Sequence, residues 1–332
     1  MGRTRILALL ALTLAPAGAA LASSGAADPR ARVLVFSKTS GFRHDSIPAA
    51  VRAVRELGAR NGIAVEATED AGAFTSARLR RYDAVVFLLT TGDVLNAAQQ
   101  NAFQRWFRAG GGYAGVHSAS DTEYEWPWYG RLLGTRFRIH PQIQQARVQI
   151  VSPRHPSTVG LPASWSRTDE WYNFARRPAG VRVLARLDES SYVPGQGAMG
   201  ADHPIAWARE FQGGRAWYTG GGHTSEAYAE PLFRRHLIGG IRYAAGLSPP
   251  QILSVATTVR GGRIAVRVRY KSCSPCAGEL VVRSTRRSLG LRDGTGIATT
   301  DRLPRGRWPV TVVLRDRATG LADSVRRAVR VS

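Results

Sequence analysis

His44, His117 and His223 each stand shortly after a short apolar run, and Asp169-Glu170 stands beside Trp171-Tyr172. An imidazole titrates near neutrality, so such residues serve as general acids or bases, and in the neutral form they bind metals. His117 therefore admits three readings: an acid/base or substrate contact, a metal ligand, or a histidine bonded inside a turn. If a metal is present, His44, His117, His223 and Glu170 are its expected ligands, and a divalent cation is the one cofactor the residues suggest. Their spacing matches no compact signature of the His-Glu-x-x-His kind. Aromatic rings stack on the apolar faces of sugars, while carboxylates accept hydroxyl hydrogen bonds or move protons. His117, His223 and Glu170 are thus the expected catalytic groups. Arg43, His44, Asp169, Tyr172, His140, Trp171 and Trp126 are the expected substrate contacts. His155 and His236 read as structural.

Positioning these groups requires a scaffold, and the apolar runs describe one. Residues 32–36, 63–67, 84–89 and 113–116 read as strands, the third apolar throughout as a buried parallel strand should be. Between them lie a helix opening at Pro48 and closing at Asn61-Gly62, a short helix over 75–81, and a helix capped by Asn96. The alternation predicts a parallel sheet covered by helices on both faces. Further strands are expected at 148–151, 181–187, 204–209 and 215–218, with a closing helix over 226–245. In such sheets ligands bind beyond the carboxyl ends of the strands. His44, His117 and His223 should then share one edge, with His203 at the opposite end. The glycine runs 110–112 and 220–222 are expected to bring backbone N–H groups close to a ligand.

Residues 39–46, 110–121, Asp169-Glu170-Trp171-Tyr172, Pro204-Ile205-Ala206-Trp207 and 213–223 together resemble the ThuA-like trehalose-utilisation family, over about residues 31–247. The resemblance implies a flavodoxin-like doubly wound sheet similar to class I glutamine amidotransferases. It also implies a link to the breakdown of disaccharides oxidised at the 3-position of the sugar. In the amidotransferases a cysteine occupies the tight turn after a strand; here Gly115-Val116-His117-Ser118-Ala119 occupies the similar place. No cysteine exists in this domain, which excludes glutamine hydrolysis by a thiolate. Ser118 sits one residue past the turn position. The expected function is a carbohydrate-active enzyme performing acid/base cleavage or elimination on a disaccharide or 3-keto-glycoside. The alternatives are a noncatalytic glycan-binding protein and a metal-dependent hydrolase.

The ends of the chain speak to its location. Arg3, Arg5, an apolar stretch over 6–15 and Ala20-Leu21-Ala22 have the order of a cleavable secretory signal over residues 1–22. The mature protein is expected to start near Ser23, outside the cytoplasm, secreted or in the cell envelope, with no membrane span. Beyond Pro249-Pro250, residues 251–332 show alternating runs separated by turn residues, which predicts a small immunoglobulin-like β-sandwich. Its Cys273 and Cys276, in an exported protein, are expected to form a disulfide. The formal net charge is +22, carried almost wholly by arginine; the only lysines are Lys38 and Lys271. The arginines form no run and have no aromatic interleaving, which argues against specific nucleic-acid binding.

Overall fold

The structure, a computed structural model, describes residues 29–247, 251–271, 276–292, 294–316 and 322–332. The leader segment and Cys273 lie outside the described residues. The main domain opens with β1 (Ala31–Phe36), α1 (Ile47–Arg60), β2 (Ile63–Thr68), α2 (Ser76–Leu79), β3 (Ala84–Leu88), α3 (Ala97–Arg108) and β4 (Gly112–Val116). It continues with α4 (Pro127–Leu133), β5 (Phe137–Ile139), β6 (Gln144–Ile150), β7 (Ser164–Asp169), β8 (Asn173–Phe174) and β9 (Arg182–Asp188). β10 (His203–Phe211), β11 (Gly214–Thr219) and α5 (Pro231–Ala244) complete it. No helix among the described residues is long and apolar enough to cross a membrane.

Nine strands form one sheet in the order β2-β1-β3-β4-β11-β10-β9-β6-β7. The first five are parallel, and β3 and β4 are buried at every position, as strands covered on both faces must be. Local signals hold the helices in place. Asn96 and Gln99 form a reciprocal capping box on α3. Gly62 ends the turn after α1 at φ +67, a conformation that suits glycine. The closing helix is shorter than expected: residues 226–228 form a separate 3₁₀ turn, and α5 starts at Pro231, whose fixed φ and missing N–H fit a first helical turn.

From β11 onward every neighbour pairs antiparallel. This reverses one expectation. β10 runs against β11, so His203 begins its strand at the same edge where β4 and β11 end, not at the opposite one. Gly110–Gly112 lie at the start of β4, away from His117. They serve packing: a Cβ on Gly112 would stand 1.9 Å from the Ala244 carbonyl oxygen of α5.

His155 and His236 are buried, and burial pushes their pKa values down to about 3 and about 4. Both are neutral in the fold, whereas the unfolded chain takes up protons near pH 6.5. Their stability contribution is therefore complete above pH 6.5 and is lost as pH falls, levelling off near the folded values. Unfolding free energy should drop between pH 7 and pH 5 by about 2 kcal/mol for each histidine. Denaturant titrations at the two pH values check this; equal midpoints would refute it.

The tail forms two four-stranded antiparallel sheets. One has the order β12-β13-β17-β16: β12 (Gln251–Arg260), β13 (Arg263–Lys271), β16 (Gly290–Arg292) and β17 (Thr295–Thr299). The other has the order β15-β14-β18-β19: β14 (Cys276–Val282), β15 (Thr285–Ser288), β18 (Gly306–Asp316) and β19 (Ala322–Val331). Ile264, Val266 and Val268 from the first share a core with Leu280, Val310 and Val312 from the second.

Candidate active site

β1, β4, β7 and β11 run the same way, and each delivers a polar residue to the same edge. The loop after β1 brings His44, the residue after β4 is His117, the residue after β7 is Glu170, and the loop after β11 brings His223. Flat strands about 4.8 Å apart would leave β7 some 19 Å from β11, four positions along the sheet. Coiling of the sheet closes that distance, since Asp169 at the end of β7 accepts hydrogen bonds from Gly222 N (2.7 Å) and His223 N (3.0 Å).

His117 sits at φ 52, in the left-handed region that a non-glycine residue occupies only when its surroundings impose it. Its Nδ1 lies 2.8 Å from the Gly220 carbonyl oxygen. A carbonyl only accepts, so Nδ1 carries the hydrogen, and the neutral ring presents a lone pair at Nε2. That atom is 3.2 Å from His223 Nδ1 and 3.3 Å from Glu170 Oε2, while His223 Nδ1 and Glu170 Oε2 are 3.2 Å apart. The His44 ring packs edge-on against both His117 (5.0 Å between centroids) and His223 (4.9 Å), and its buried Nδ1 has no hydrogen-bond partner. One donor atom from each of the four residues falls within 4.8 Å of the others.

The charges suit this arrangement. Burial, reinforced by the neighbouring imidazoles, pushes His44 down to about pKa 3, so it stays neutral. Burial would raise the Glu170 carboxyl, but the His117 and His223 imidazoles beside it hold it well below the usual carboxylate range. Burial also opposes charge on His223, and the Glu170 carboxylate outweighs it, raising that imidazole above its ordinary value. His140 Nδ1 lies 3.1 Å from the other Glu170 oxygen, at the solvent-facing side of the group.

Several expected contacts lie elsewhere. Asp169 is fully buried and bonded to Arg167, which also bonds Glu230; its carboxylate shapes the Gly222-His223 turn instead of meeting a substrate. Those backbone N–H groups, expected to face a ligand, are consumed by Asp169. Trp171 is buried, with its indole N–H on the Gln144 carbonyl, and Trp126 stacks on Trp128 within the core. Neither ring is placed to wall a sugar. Arg43 is exposed and paired with Glu69. Tyr172 packs its ring 4.1 Å from His117, flanked by Phe137 at 4.2 Å. The sequence reading missed Phe137, exposed Phe42 against His44, and the Tyr124–Asp121 hydrogen bond of 2.6 Å. It also missed His203, whose Nε2–H donates to the Tyr172 carbonyl at 2.9 Å and steadies that segment. Phe42, Asp121 and Tyr124 do follow parallel strands, but nothing in the spacing of these residues distinguishes them from their loop neighbours, and Phe137 and His203 belong to antiparallel strands.

The model of the trehalose-utilisation family ThuA matches residues 32–244. The chain belongs to the ThuA-like family. A ThuA-like protein from Bacteroides uniformis is 23% identical over 66% of this chain and 93% of its own, with a TM-score of 0.58. One from Parabacteroides merdae is 18% identical over 66% of this chain and 91% of its own, with a TM-score of 0.56. These solved structures share the fold of the ThuA-like domain. No curated protein matches the chain in sequence.

Proposed function

We propose that this ThuA-like chain is an exported carbohydrate-active enzyme, cleaving a disaccharide or 3-keto-glycoside at a divalent-metal centre of His44, His117, His223 and Glu170. One observation carries the metal reading. Three donor atoms stand 3.2–3.3 Å apart while the His117 hydrogen is committed to Gly220. Ligands bonded to zinc at about 2.1 Å in a tetrahedron are separated by about 3.4 Å. Without an ion, only His223 Nδ1 can carry a hydrogen into this triangle, which leaves His117 Nε2 and Glu170 Oε2 facing each other at 3.3 Å as two acceptors. The buried, unpartnered Nδ1 of His44, held neutral by burial, adds a fourth donor atom.

The family's trehalose-utilisation description supports a sugar substrate. On a 3-keto sugar the ketone acidifies the hydrogen at carbon 2. Transfer of that proton to His140 would send its electron pair toward the ketone oxygen, where a cation held by His44, His117, His223 and Glu170 would stabilise the charge. Return of the pair breaks the bond from carbon 1 to the glycosidic oxygen, which leaves with a proton from an acid. His140, bonded to Glu170 at the mouth, and Asp121, raised by burial, are the titratable groups beside the centre. The cleaved leader and the Cys273–Cys276 disulfide belong to the same reading of an exported protein. The strand orders of the tail support an immunoglobulin-like sandwich.

Metal content of purified protein, with turnover on trehalose-like glycosides and their 3-keto forms before and after chelation, tests this reading. Stoichiometric metal and activity restored by its return are expected. Full turnover by metal-free protein would sink the metal centre and leave His223 and Glu170 as an acid/base pair. No turnover of any glycoside by metal-loaded protein would sink the substrate class.

A further inference from the structure

Residues 251–332 carry seventeen basic and five acidic side chains. In β13 strand alternation turns Ile264, Val266 and Val268 into the core and Arg263, Arg267 and Arg269 out to solvent. The register places Arg260 directly opposite Arg263. It also places Thr295 between Arg269 on one side and Arg292 on the other. All five arginines are exposed, and none of their guanidinium groups makes an ion pair or hydrogen bond with a described residue. No acidic side chain lies on this sheet face among the described residues. Asp301, the carboxylate whose charge Arg263 shares, is bonded to Arg287. The outer face of the other sheet differs, since Glu279 there is bonded to Arg286.

Like charges directly opposite across a strand pair destabilise a sheet. Among the described residues no carboxylate forms an ion pair with these arginines, so an external anion is the natural complement. The floor between the arginines is flat and small-chained, with Ala256, Thr258, Ala265 and Thr299, and Ile297 is 51% exposed. A nucleic-acid platform would offer aromatic rings for stacking, and this face has none. A membrane-binding surface would offer a cluster of bulky apolar side chains, and among the described residues this sheet exposes only Ile297 and, at the bulge in β12, Leu253. Arg267 and Arg269 repeat at about 6.8 Å along the strand, presenting planar forks that match carboxylates.

We propose that this face of the tail binds a linear anionic polysaccharide bearing carboxylates, tethering the ThuA-like domain to a saccharide matrix. The choice of a sugar polymer rests on the carbohydrate reading of the main domain, but the binding itself does not need its chemistry. Full-length protein is titrated with polygalacturonate, with neutral dextran, single-stranded DNA and phosphatidylglycerol vesicles as comparisons. Saturable binding to polygalacturonate is expected, weakening as salt rises and absent for dextran. Arg267→Glu/Arg269→Glu, and the milder Arg267→Gln/Arg269→Gln, should each weaken it at least tenfold with melting temperature and small-glycoside turnover unchanged. His117→Asn should bind polygalacturonate as well as wild type, which separates this site from the active-site reading. Absent binding at low salt, undiminished binding by a folded variant, or tighter binding to DNA or vesicles would overturn the proposal.

Discussion

His117→Asn should lose bound metal and at least about a hundredfold in turnover while remaining folded. The choice of asparagine follows from the geometry. His117 is fully buried at φ 52, and asparagine tolerates that left-handed backbone better than alanine does. Its side-chain amide nitrogen falls near the place of Nδ1 and can keep the bond to the Gly220 carbonyl, now made at 2.8 Å. What disappears is Nε2, the atom that faces His223 and Glu170. Alanine would also leave the Gly220 oxygen unsatisfied in a buried place, adding about 1–3 kcal/mol of destabilisation to any functional loss. Metal content, turnover and the thermal melt are read on the same preparation. Near wild-type metal and turnover in a folded His117→Asn protein would remove His117 from the centre.

Asp169→Asn should be the most destabilising single exchange near the site, although Asp169 touches no substrate. The carboxylate is the buried partner of Arg167, and losing the charge of one partner in a buried pair costs about 3–5 kcal/mol. Glu230 still bonds Arg167 and moves that figure toward the lower end. The same exchange weakens the acceptor for Gly222 N and His223 N, so the turn that aims His223 and the Gly220 carbonyl loosens. Turnover should fall with stability, and at saturating metal it should recover only in part. Equilibrium unfolding of wild type and variant measures the first effect. A loss under about 1 kcal/mol would mean that the Arg167 pair does not support this edge.

Much of the scaffold was legible without coordinates. Uninterrupted apolar runs such as 84–88, Pro48 and Asn96 at helix starts, and glycine at turns are local signals, and local signals survive in a linear sequence. The rule that parallel strands deliver their following loops to one edge was enough to group His44, His117 and His223. Glu170 was proposed for a different reason, its aromatic neighbours. Those neighbours turn out to be structural in part, with Trp171 buried against Gln144.

What the sequence by itself determined is therefore the set of strand-end side chains, because period and punctuation are properties of neighbouring residues. Strand direction beyond β11, the burial of Asp169 and Trp126, and the junction of β7 with the turn after β11 were decided by tertiary structure alone. The twist of each strand pair is small, and no single residue encodes it. Summed over four steps from β11 to β7, it coils the sheet until Asp169 reaches Gly222 and Glu170 reaches His117.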